Sequence, residues 1–254
     1  MILDGIEGFG LIRKGASRYT KEHEVQVSAG AVTLEGTLGI PEGTKGIVLF
    51  AHGSGSSRYS PRNQYVAKVL RRAGLATLLI DLLTAEEETI DFQTAHLRFD
   101  IGLLAKRLVG VTDWIIKNPD TRNLNIGYFG ASTGAGAALV AAAERAKIIG
   151  AVVSRGGRPD LASSFVLQKV QAPTLLIVGG YDYPVIEMNQ EALNHLQAEK
   201  KLVIIPSATH LFEEAGKLEE VAQLATDWFL RYLLVKHKAN NMTKSGKEST
   251  IEIR

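Results

Sequence analysis

Apolar residues along the chain form short runs separated by segments with helical spacing. Residues 24–28 and 32–38 alternate apolar and polar side chains on either side of Ala29-Gly30-Ala31, which predicts a β-hairpin. The later runs are continuously apolar, as expected of strands buried on both faces of a parallel sheet. These predicted strands cover residues 46–50, 75–80, 124–129, 148–153, 174–178 and 201–205.

The segments between these strands predict helices. Ser60 and Pro61 suit the N-cap and the first helical position, so the first helix is expected to extend to about Ala73. Further helices are predicted over about 99–117, 135–146, 187–198 and 218–235. Strands that alternate with helices imply right-handed crossovers, and therefore an α/β fold with a mostly parallel sheet.

The 254 residues are enough for one large α/β domain with a sizeable core. We predict that this domain covers residues 23–235, after an N-terminal extension over 1–22 and before a polar C-terminal tail over 236–254. The tail lacks apolar periodicity and is expected to be disordered. It holds four lysines and one arginine against two glutamates, so without it the formal net charge of +2 becomes −1. We therefore expect no nucleic-acid partner.

The expected location is the cytoplasm. The chain has no cysteine, which is compatible with a reducing compartment and leaves no disulfide or thiolate metal site. Its first residues, Met1 to Gly5, lack a basic region followed by an apolar block, so no signal peptide is expected. No apolar stretch has transmembrane length, and no membrane partner is expected. The sequence leaves the oligomeric state open.

The segment Gly130-Ala131-Ser132-Thr133-Gly134 is the strongest indication of chemistry in the sequence. A buried strand precedes it and a helix rich in glycine and alanine follows, which is the context of a nucleophile elbow. In this sharp turn the serine takes a strained backbone conformation that projects its hydroxyl from the end of the sheet. We interpret Ser132 as a catalytic nucleophile; a plain strand-to-helix turn is the alternative.

Asp182 and His210 follow the predicted strands 174–178 and 201–205. Ligands of such folds bind beyond the carboxyl ends of the strands, where Ser132 also lies. The chain order Ser, Asp, His suits a triad in which the histidine takes the serine proton and the aspartate orients the imidazole. Asp160 and Asp81 also lie near strand ends and are competing candidates for the acid.

Two backbone amides should stabilise the oxyanion that forms during acyl transfer. The Thr133 amide is one candidate because it starts the elbow helix, and the Ser54 amide is the other because it lies in the glycine-rich loop 51–58. A phosphate-binding P-loop is excluded there because no Gly-Lys-Ser/Thr follows. His52 is expected to support the loop. None of the six histidines has metal-binding spacing, so we expect no metal centre.

Two arginines and one charged segment should border the same edge of the sheet. Arg155 and Arg158 follow the strand 148–153 and flank Gly156-Gly157, so either guanidinium is a candidate for binding a substrate carboxylate. A structural salt bridge is the alternative for both. Residues 91–98, which include His96, are a candidate for a small lid.

At these residues the chain resembles the α/β-hydrolase superfamily, and within it the dienelactone-hydrolase-like branch. The resemblance extends over about residues 25–234. It implies an eight-stranded, mostly parallel sheet flanked by helices on both faces, and hydrolysis of esters or lactones without a cofactor. It rests on the loop 52–58 with Ser60-Pro61-Arg62-Asn63, the elbow, the Gly179–Asp182 element and the ending Ala208-Thr209-His210-Leu211-Phe212.

The chain departs from the dienelactone hydrolases proper, which use a cysteine nucleophile, because it has Ser132 and no cysteine. A serine esterase on the same scaffold therefore fits better. Similar domains also occur fused to phosphoribosyltransferases, but the sequence has no phosphoribosyltransferase signature. We predict a hydrolase that cleaves a small-molecule carboxylic ester or lactone through an acyl-serine. The alternatives are an acyltransferase and a ligand-binding or regulatory protein with little turnover.

Overall fold

One nine-stranded sheet organises the part of the chain that the computed structural model describes, residues 21–234 and 249–253. The strand order is β1-β2-β4-β3-β5-β6-β7-β8-β9. Among these strands only β2 runs opposite to the others, so the sheet is mostly parallel. The strands are β1 (Lys21–Ala29), β2 (Val32–Ile40), β3 (Gly46–Ala51), β4 (Ala76–Ile80), β5 (Asn125–Ala131), β6 (Ile149–Arg155), β7 (Thr174–Gly179), β8 (Lys200–Ile205) and β9 (Ser249–Ile253).

Helices cover both faces of the sheet and bury its apolar side chains. The helices α1 and α7 pack on one face, where the rings of Phe50, Phe129, Phe212 and Phe229 are fully buried. The helices α3 and α4 pack on the other face together with α6. The helices are α1 (Pro61–Arg72), α2 (Ala85–Thr94), α3 (Ile101–Lys117), α4 (Thr133–Glu144), α5 (Ser164–Leu167), α6 (Tyr183–His195) and α7 (Lys217–Leu233).

The predicted fold class is confirmed, and most predicted elements lie within a few residues of their observed bounds. The hairpin is β1 and β2, paired in antiparallel register from Lys21 opposite Ile40 to Ala29 opposite Val32. Helix α6 starts at Tyr183, earlier than predicted, because Pro184 in its first turn has a backbone suited to helix initiation. Asp182 thereby becomes the residue that precedes this helix.

Helix α2, which the apolar pattern did not predict, begins with a capping box. Thr84 Oγ1 accepts the Glu87 N–H, and Glu87 Oε2 accepts the Thr84 N–H at 2.9 Å. The spacing Thr-x-x-Glu was the available signal, but the helix has only one buried residue, Asp91, and therefore little apolar periodicity.

The disorder predicted for residues 236–254 is wrong for 249–253, which form β9 beside β8. The edge of β8 supplies backbone hydrogen-bond partners to these five residues, a gain that composition alone does not reveal. The sheet consequently has one strand more than the eight implied by the family resemblance. Residues 1–20, 235–248 and 254 lie outside the described residues, and with them most of the predicted extension and tail. No described helix is long and apolar enough to cross a membrane.

Because β3 and β5 to β8 run in the same direction, their carboxyl ends meet at one edge of the sheet. These ends carry the loop 51–58, Ser132, Arg155, Asp182 and the loop that contains His210. Parallel pairing therefore gathers every predicted site residue at one edge, as expected for ligand sites in open α/β sheets.

The contact between α3 and the hairpin gives a test of the packing. A Cβ added to Gly110 would lie 2.8 Å from the Ala29 Cα, so Gly110→Ala forces the helix away from the sheet. We expect the variant to lower the free energy of unfolding by about 1–3 kcal/mol, measured by urea unfolding. The control is Gly102→Ala in the same helix, where a Cβ would meet nothing closer than 3.4 Å. It should leave stability unchanged or slightly higher. Equal effects of the two substitutions would contradict this packing.

Candidate active site

Ser132 has a strained backbone at the junction of β5 and α4. Its φ of 51° and ψ of −123° lie in a region that non-glycine residues rarely adopt. The strand β5 ends at Ala131 and α4 begins at Thr133, so Ser132 alone makes the turn. The predicted nucleophile-elbow geometry is therefore present in the structure.

The two glycines of the elbow are required by close approach of the backbone on either side. A Cβ on Gly130 would lie 2.4 Å from the Ala135 Cα, across the turn. A Cβ on Gly134 would lie 2.4 Å from the carbonyl oxygens of both Ala51 and His52. The second contact shows that α4 packs directly on the backbone of the loop that follows β3.

Asp182 and His210 form a hydrogen-bonded pair. The His210 Nδ1 lies 2.6 Å from the Asp182 Oδ2, so Nδ1–H donates to the carboxylate and Nε2 points elsewhere. The two loops are joined by their backbones as well, since the Tyr181 N–H donates to the Ala208 carbonyl at 2.9 Å. The aspartate side chain is 14% exposed and the imidazole 38%, so the imidazole is the more accessible partner.

The loop that carries His210 is itself strained. Ser207 and Phe212 have φ values of 60° and 57°, in the left-handed region, although neither is a glycine. Phe212 is fully buried against the face covered by α1 and α7. Burial of this ring holds the backbone at Phe212, two residues after His210, in an otherwise unfavourable conformation.

The structure brings His210 next to the elbow without a hydrogen bond to the serine. The Ser132 N–H donates to the Arg155 carbonyl at 3.2 Å. The residue after Arg155, Gly156, packs against the His210 imidazole, because a Cβ added to Gly156 would lie 3.4 Å from the His210 Nδ1. Within residues 21–234 and 249–253, the Ser132 hydroxyl has no hydrogen-bond partner. Such a bond is often long in free enzymes and forms when substrate is bound.

The two competing acids are paired with arginines. Asp81 accepts the Arg58 N–H at 2.6 Å through Oδ1 and binds the Arg58 guanidinium through Oδ2. Asp160 receives two hydrogen bonds from Arg158, from Nε at 2.9 Å and from Nη2 at 2.8 Å. The carboxylate that contacts His210 is thus that of Asp182.

The two candidate oxyanion donors contact each other. The Ser54 N–H donates to the Thr133 Oγ1 at 2.9 Å, which fixes the loop 51–58 to the start of α4. The Thr133 N–H is in the first turn of α4 and therefore has no acceptor within the helix. The Thr133 amide thus makes no hydrogen bond within the helix, whereas the Ser54 amide already donates to a hydroxyl. The spacing of residues in the sequence does not reveal this difference.

His52 makes hydrogen bonds that support the loop 51–58, as predicted. Its Nδ1 lies 3.0 Å from the Gly53 carbonyl and its Nε2 accepts the Leu82 N–H at 3.1 Å, which together require the neutral ring with the proton on Nδ1. Burial lowers the pKa of His52, and this effect outweighs the opposing influence of the Gly53 carbonyl and of Asp81.

A cavity of about 300 Å³ lies beside Ser54 and Thr133. The predicted lid, residues 91–98, contributes Asp91, Phe92 and Arg98 to its lining, and Glu88 of α2 lines it as well. Partial burial raises the pKa of Glu88, and the negative charge of Asp81 adds to the effect. The Arg98 Nε donates to the Asp91 Oδ2 at 2.5 Å, so an ion pair joins two of the residues that line the cavity.

The two arginines that were candidates for binding a substrate carboxylate have different surroundings. Arg158 is not free to turn toward Ser132, as its sequence context suggested, because Asp160 binds its guanidinium through two oxygens. Arg155 is only 7% exposed, and its Nε and Nη1 are buried without a hydrogen-bond partner among the described residues. Burial lowers the pKa of Arg155 to about 10, with a further contribution from the nearby positive charge of Arg62. Neither arginine lines the cavity beside Ser54.

Comparison with known proteins places this chain in a family. The model of the Dienelactone hydrolase family matches residues 34–234. The crystal structure of a dienelactone hydrolase from Anabaena variabilis is 70% identical, with a TM-score of 0.83, over 84% of this chain and 99% of that one. The structure of Est1E from Butyrivibrio proteoclasticus with bound ferulic acid shares the fold at 18% identity, with a TM-score of 0.69, over 82% of this chain and 98% of that one.

Two curated relatives are longer than this chain. Both are Mycobacterium tuberculosis proteins, from strains CDC 1551 and H37Rv, with the name "Putative phosphoribosyl transferase". Each is 58% identical over 224 residues, which is 88% of this chain and 49% of the relative. The chain therefore spans about half the length of the curated relatives it matches.

The lowered pKa of His52 predicts a pH dependence of stability. Below the ordinary value of 6.5 the unfolded chain binds a proton at His52 that the folded protein does not, so the free energy of unfolding should decrease as the pH falls through this range. Urea unfolding at about pH 7.5 and pH 5.5 should show a smaller decrease for His52→Gln than for the unsubstituted protein. Parallel pH dependences of the two proteins would contradict the neutral buried ring.

Proposed function

The chain belongs to the dienelactone hydrolase family, and on this basis we propose that it is a serine-dependent hydrolase of carboxylic esters or lactones. The family and the fold are those of hydrolases. One observation carries the finer proposal: the hydrogen-bonded Asp182–His210 pair lies at the same sheet edge as Ser132, whose backbone is strained in the manner of a nucleophile elbow. The transferase name of the curated relatives belongs to those longer proteins.

Acylation begins when His210 Nε2 takes the proton from the Ser132 hydroxyl. The oxygen attacks the ester carbonyl carbon, the carbonyl π electrons move to the oxygen, and a tetrahedral oxyanion forms. Asp182 keeps the proton of the imidazole on Nδ1 and stabilises the imidazolium by charge. When the oxyanion collapses, His210 donates its proton to the leaving alcohol and the acyl-serine remains.

The oxyanion is stabilised by the amides of Thr133 and Ser54. The Thr133 N–H has no acceptor in the helix, so it is ready to bind the oxyanion. The Ser54 N–H must exchange its bond to the Thr133 Oγ1 for one to the substrate. This exchange costs little, because one hydrogen-bond acceptor replaces another and the new acceptor is charged.

Hydrolysis of the acyl-serine repeats the sequence with water. His210 removes a proton from water, the resulting hydroxide attacks the acyl carbon, and the proton returns to Ser132 as the acid leaves. Where another alcohol replaced water, the same residues would transfer the acyl group. Ser132 is the nucleophile in this proposal since the chain contains no cysteine.

A fluorophosphonate probe should label the protein at Ser132, because the probe reacts with a serine that an adjacent base activates. Ser132→Ala should abolish labelling and reduce ester turnover by on the order of 10⁴-fold or more. The matched control is Ser54→Ala, which removes a nearby hydroxyl but keeps the backbone amide and should still be labelled. Labelling and turnover of the Ser132→Ala protein at normal levels would refute the proposal.

The acid can be identified by comparing two aspartates. Asp182→Asn presents an amide to Nδ1 and favours the wrong imidazole tautomer, so kcat should decrease by on the order of 10³-fold or more. Asp160→Asn removes only a half-exposed pair with Arg158 and should change kcat by less than about three-fold. Steady-state kinetics with one activated ester measures both. Mild and equal effects would exclude Asp182 from the mechanism.

A further inference from the structure

The cavity of about 300 Å³ adjoins one side of the proposed reaction centre. Ser54 and Thr133, whose amides are the candidate oxyanion donors, both line it. Gly53 lines it as well, and a Cβ added there would lie 3.0 Å from the Ser132 Cβ. Among the described residues, those that line the cavity do not include His210. The cavity therefore starts beside the nucleophile and extends away from the histidine.

The proposed reaction decides which part of an ester this cavity receives. The oxygen of the leaving alcohol must lie near the His210 Nε2, because it takes its proton from there. The carbonyl oxygen must point to the amides of Ser54 and Thr133. The third substituent of the carbonyl carbon is the acyl chain, which is thereby directed away from His210 and into the cavity.

The charged side chains that line the cavity leave one net negative charge. Arg98 is neutralised by Asp91, since its Nε donates to the Asp91 Oδ2 at 2.5 Å and its Nη2 donates to the Asp91 carbonyl at 3.0 Å. His52 is neutral, because burial lowers its pKa. The remaining charge is that of Glu88. Within residues 21–234 and 249–253, the Glu88 carboxylate forms no hydrogen bond or ion pair.

Glu88 differs in this respect from the two acidic residues that precede it in α2. Glu87 completes the capping box with Thr84 and binds the Arg107 guanidinium. Glu86 has a pKa lowered by hydrogen bonds to its own backbone N–H and to Thr84. All three carboxylates lie in the first turn of the helix and share its favourable dipole. Only Glu88 of the three lines the cavity.

The electrostatic surroundings of Glu88 favour a cation beside it. Partial burial and the negative charges of Asp81 and Asp91 raise its pKa, while the positive charge of Arg58 has the opposite effect. Arg58 already binds Asp81 through its guanidinium, so its charge is shared. A carboxylate with two negative neighbours and no ion-pair partner is stabilised when a cation binds next to it.

We propose that the cavity receives an acyl chain that carries an ammonium group, and that this group binds the Glu88 carboxylate. The inference rests on the proposed function for the assignment of the cavity to the acyl side of the ester. Leu83, Phe92 and Leu104 contribute apolar surface to the lining, which suits the methylene groups between the ester and the cation. The same net charge repels an acyl chain that ends in a carboxylate.

The test compares methyl esters of matched shape at pH 7.5. Methyl 6-aminohexanoate carries the cation, methyl heptanoate is its neutral isostere, and methyl hydrogen heptanedioate carries an anion. Methyl 3-aminopropanoate, methyl butanoate and methyl hydrogen succinate form the same series with a shorter chain. We expect kcat/KM to be at least about three-fold higher for the cationic than for the neutral ester at one length or both, and lowest for the anionic ester. Added salt should reduce the preference, because the carboxylate is partly exposed.

Two substitutions of Glu88 and one control assign the preference to this residue. Glu88→Gln should bring the ratio of kcat/KM for the cationic and neutral esters close to one, and Glu88→Lys should favour the anionic ester instead. Glu86→Gln is the matched control, because Glu86 lies in the same helical turn but does not line the cavity, and it should leave the ratio unchanged. Equal kcat/KM for the cationic and neutral esters at both lengths, or a preference that survives Glu88→Gln, would overturn the proposal.

Binding measured without turnover separates this proposal from the hydrolase assignment. In the Ser132→Ala background, isothermal titration calorimetry with the cationic and neutral esters of each length measures the same preference. Binding of the cationic ester that depends on Glu88, in a protein whose unsubstituted form hydrolyses none of the esters, would support the cation site and refute the hydrolase. Hydrolysis of all the esters without a preference would support the hydrolase and refute the cation site.

Discussion

The packing of α4 onto the backbone of the loop 51–58 is the contact on which the rest of the candidate site depends. Gly134 lies so close to the carbonyls of Ala51 and His52 that no side chain fits between them. Strand pairing places Ala51 opposite Gly130 at the ends of β3 and β5, and the contact at Gly134 then brings the Ser54 amide within reach of the Thr133 hydroxyl. The elbow and the loop 51–58 are therefore joined by close backbone contact, whereas the Asp182–His210 pair comes from the ends of β7 and β8, beyond β6 in the sheet.

The fold and the principal residues of the candidate site were predictable because they depend on local patterns. The elbow at Ser132 needs only two glycines around a serine between a strand and a helix, and Ser60-Pro61 marks the start of α1 by backbone preferences alone. Helix α2 was missed, since its stability comes from the capping box of Thr84 and Glu87 and from contacts with the rest of the protein rather than from an apolar stripe. The five residues of β9 depend on the free edge of β8, which is a property of the folded sheet.

The roles of charged residues were the least predictable from the sequence. Arg155 and Arg158 are three positions apart and follow the same strand, yet one is buried without a partner and the other is held by Asp160. The distinction arises from the direction of each side chain relative to the sheet. Likewise, Asp81 and Asp182 both follow strands, and only the fold decides that one meets an arginine and the other a histidine. Electrostatic function is a property of three-dimensional neighbours, which single-sequence spacing does not encode.

The left-handed backbone at Phe212 has a consequence for the order in which parts of this protein lose their structure on heating. The unfavourable conformation at Phe212 is maintained by the buried ring. The loop of His210 has no regular secondary structure, and it is held by this ring together with the hydrogen bonds of Ala208 to Tyr181 and of His210 to Asp182. Loosening of that ring releases the loop toward a relaxed conformation and carries the imidazole away from the elbow, while the sheet and its helices remain folded. Thermal inactivation would then precede global denaturation, and the loss would be reversible on cooling as long as the sheet stays intact.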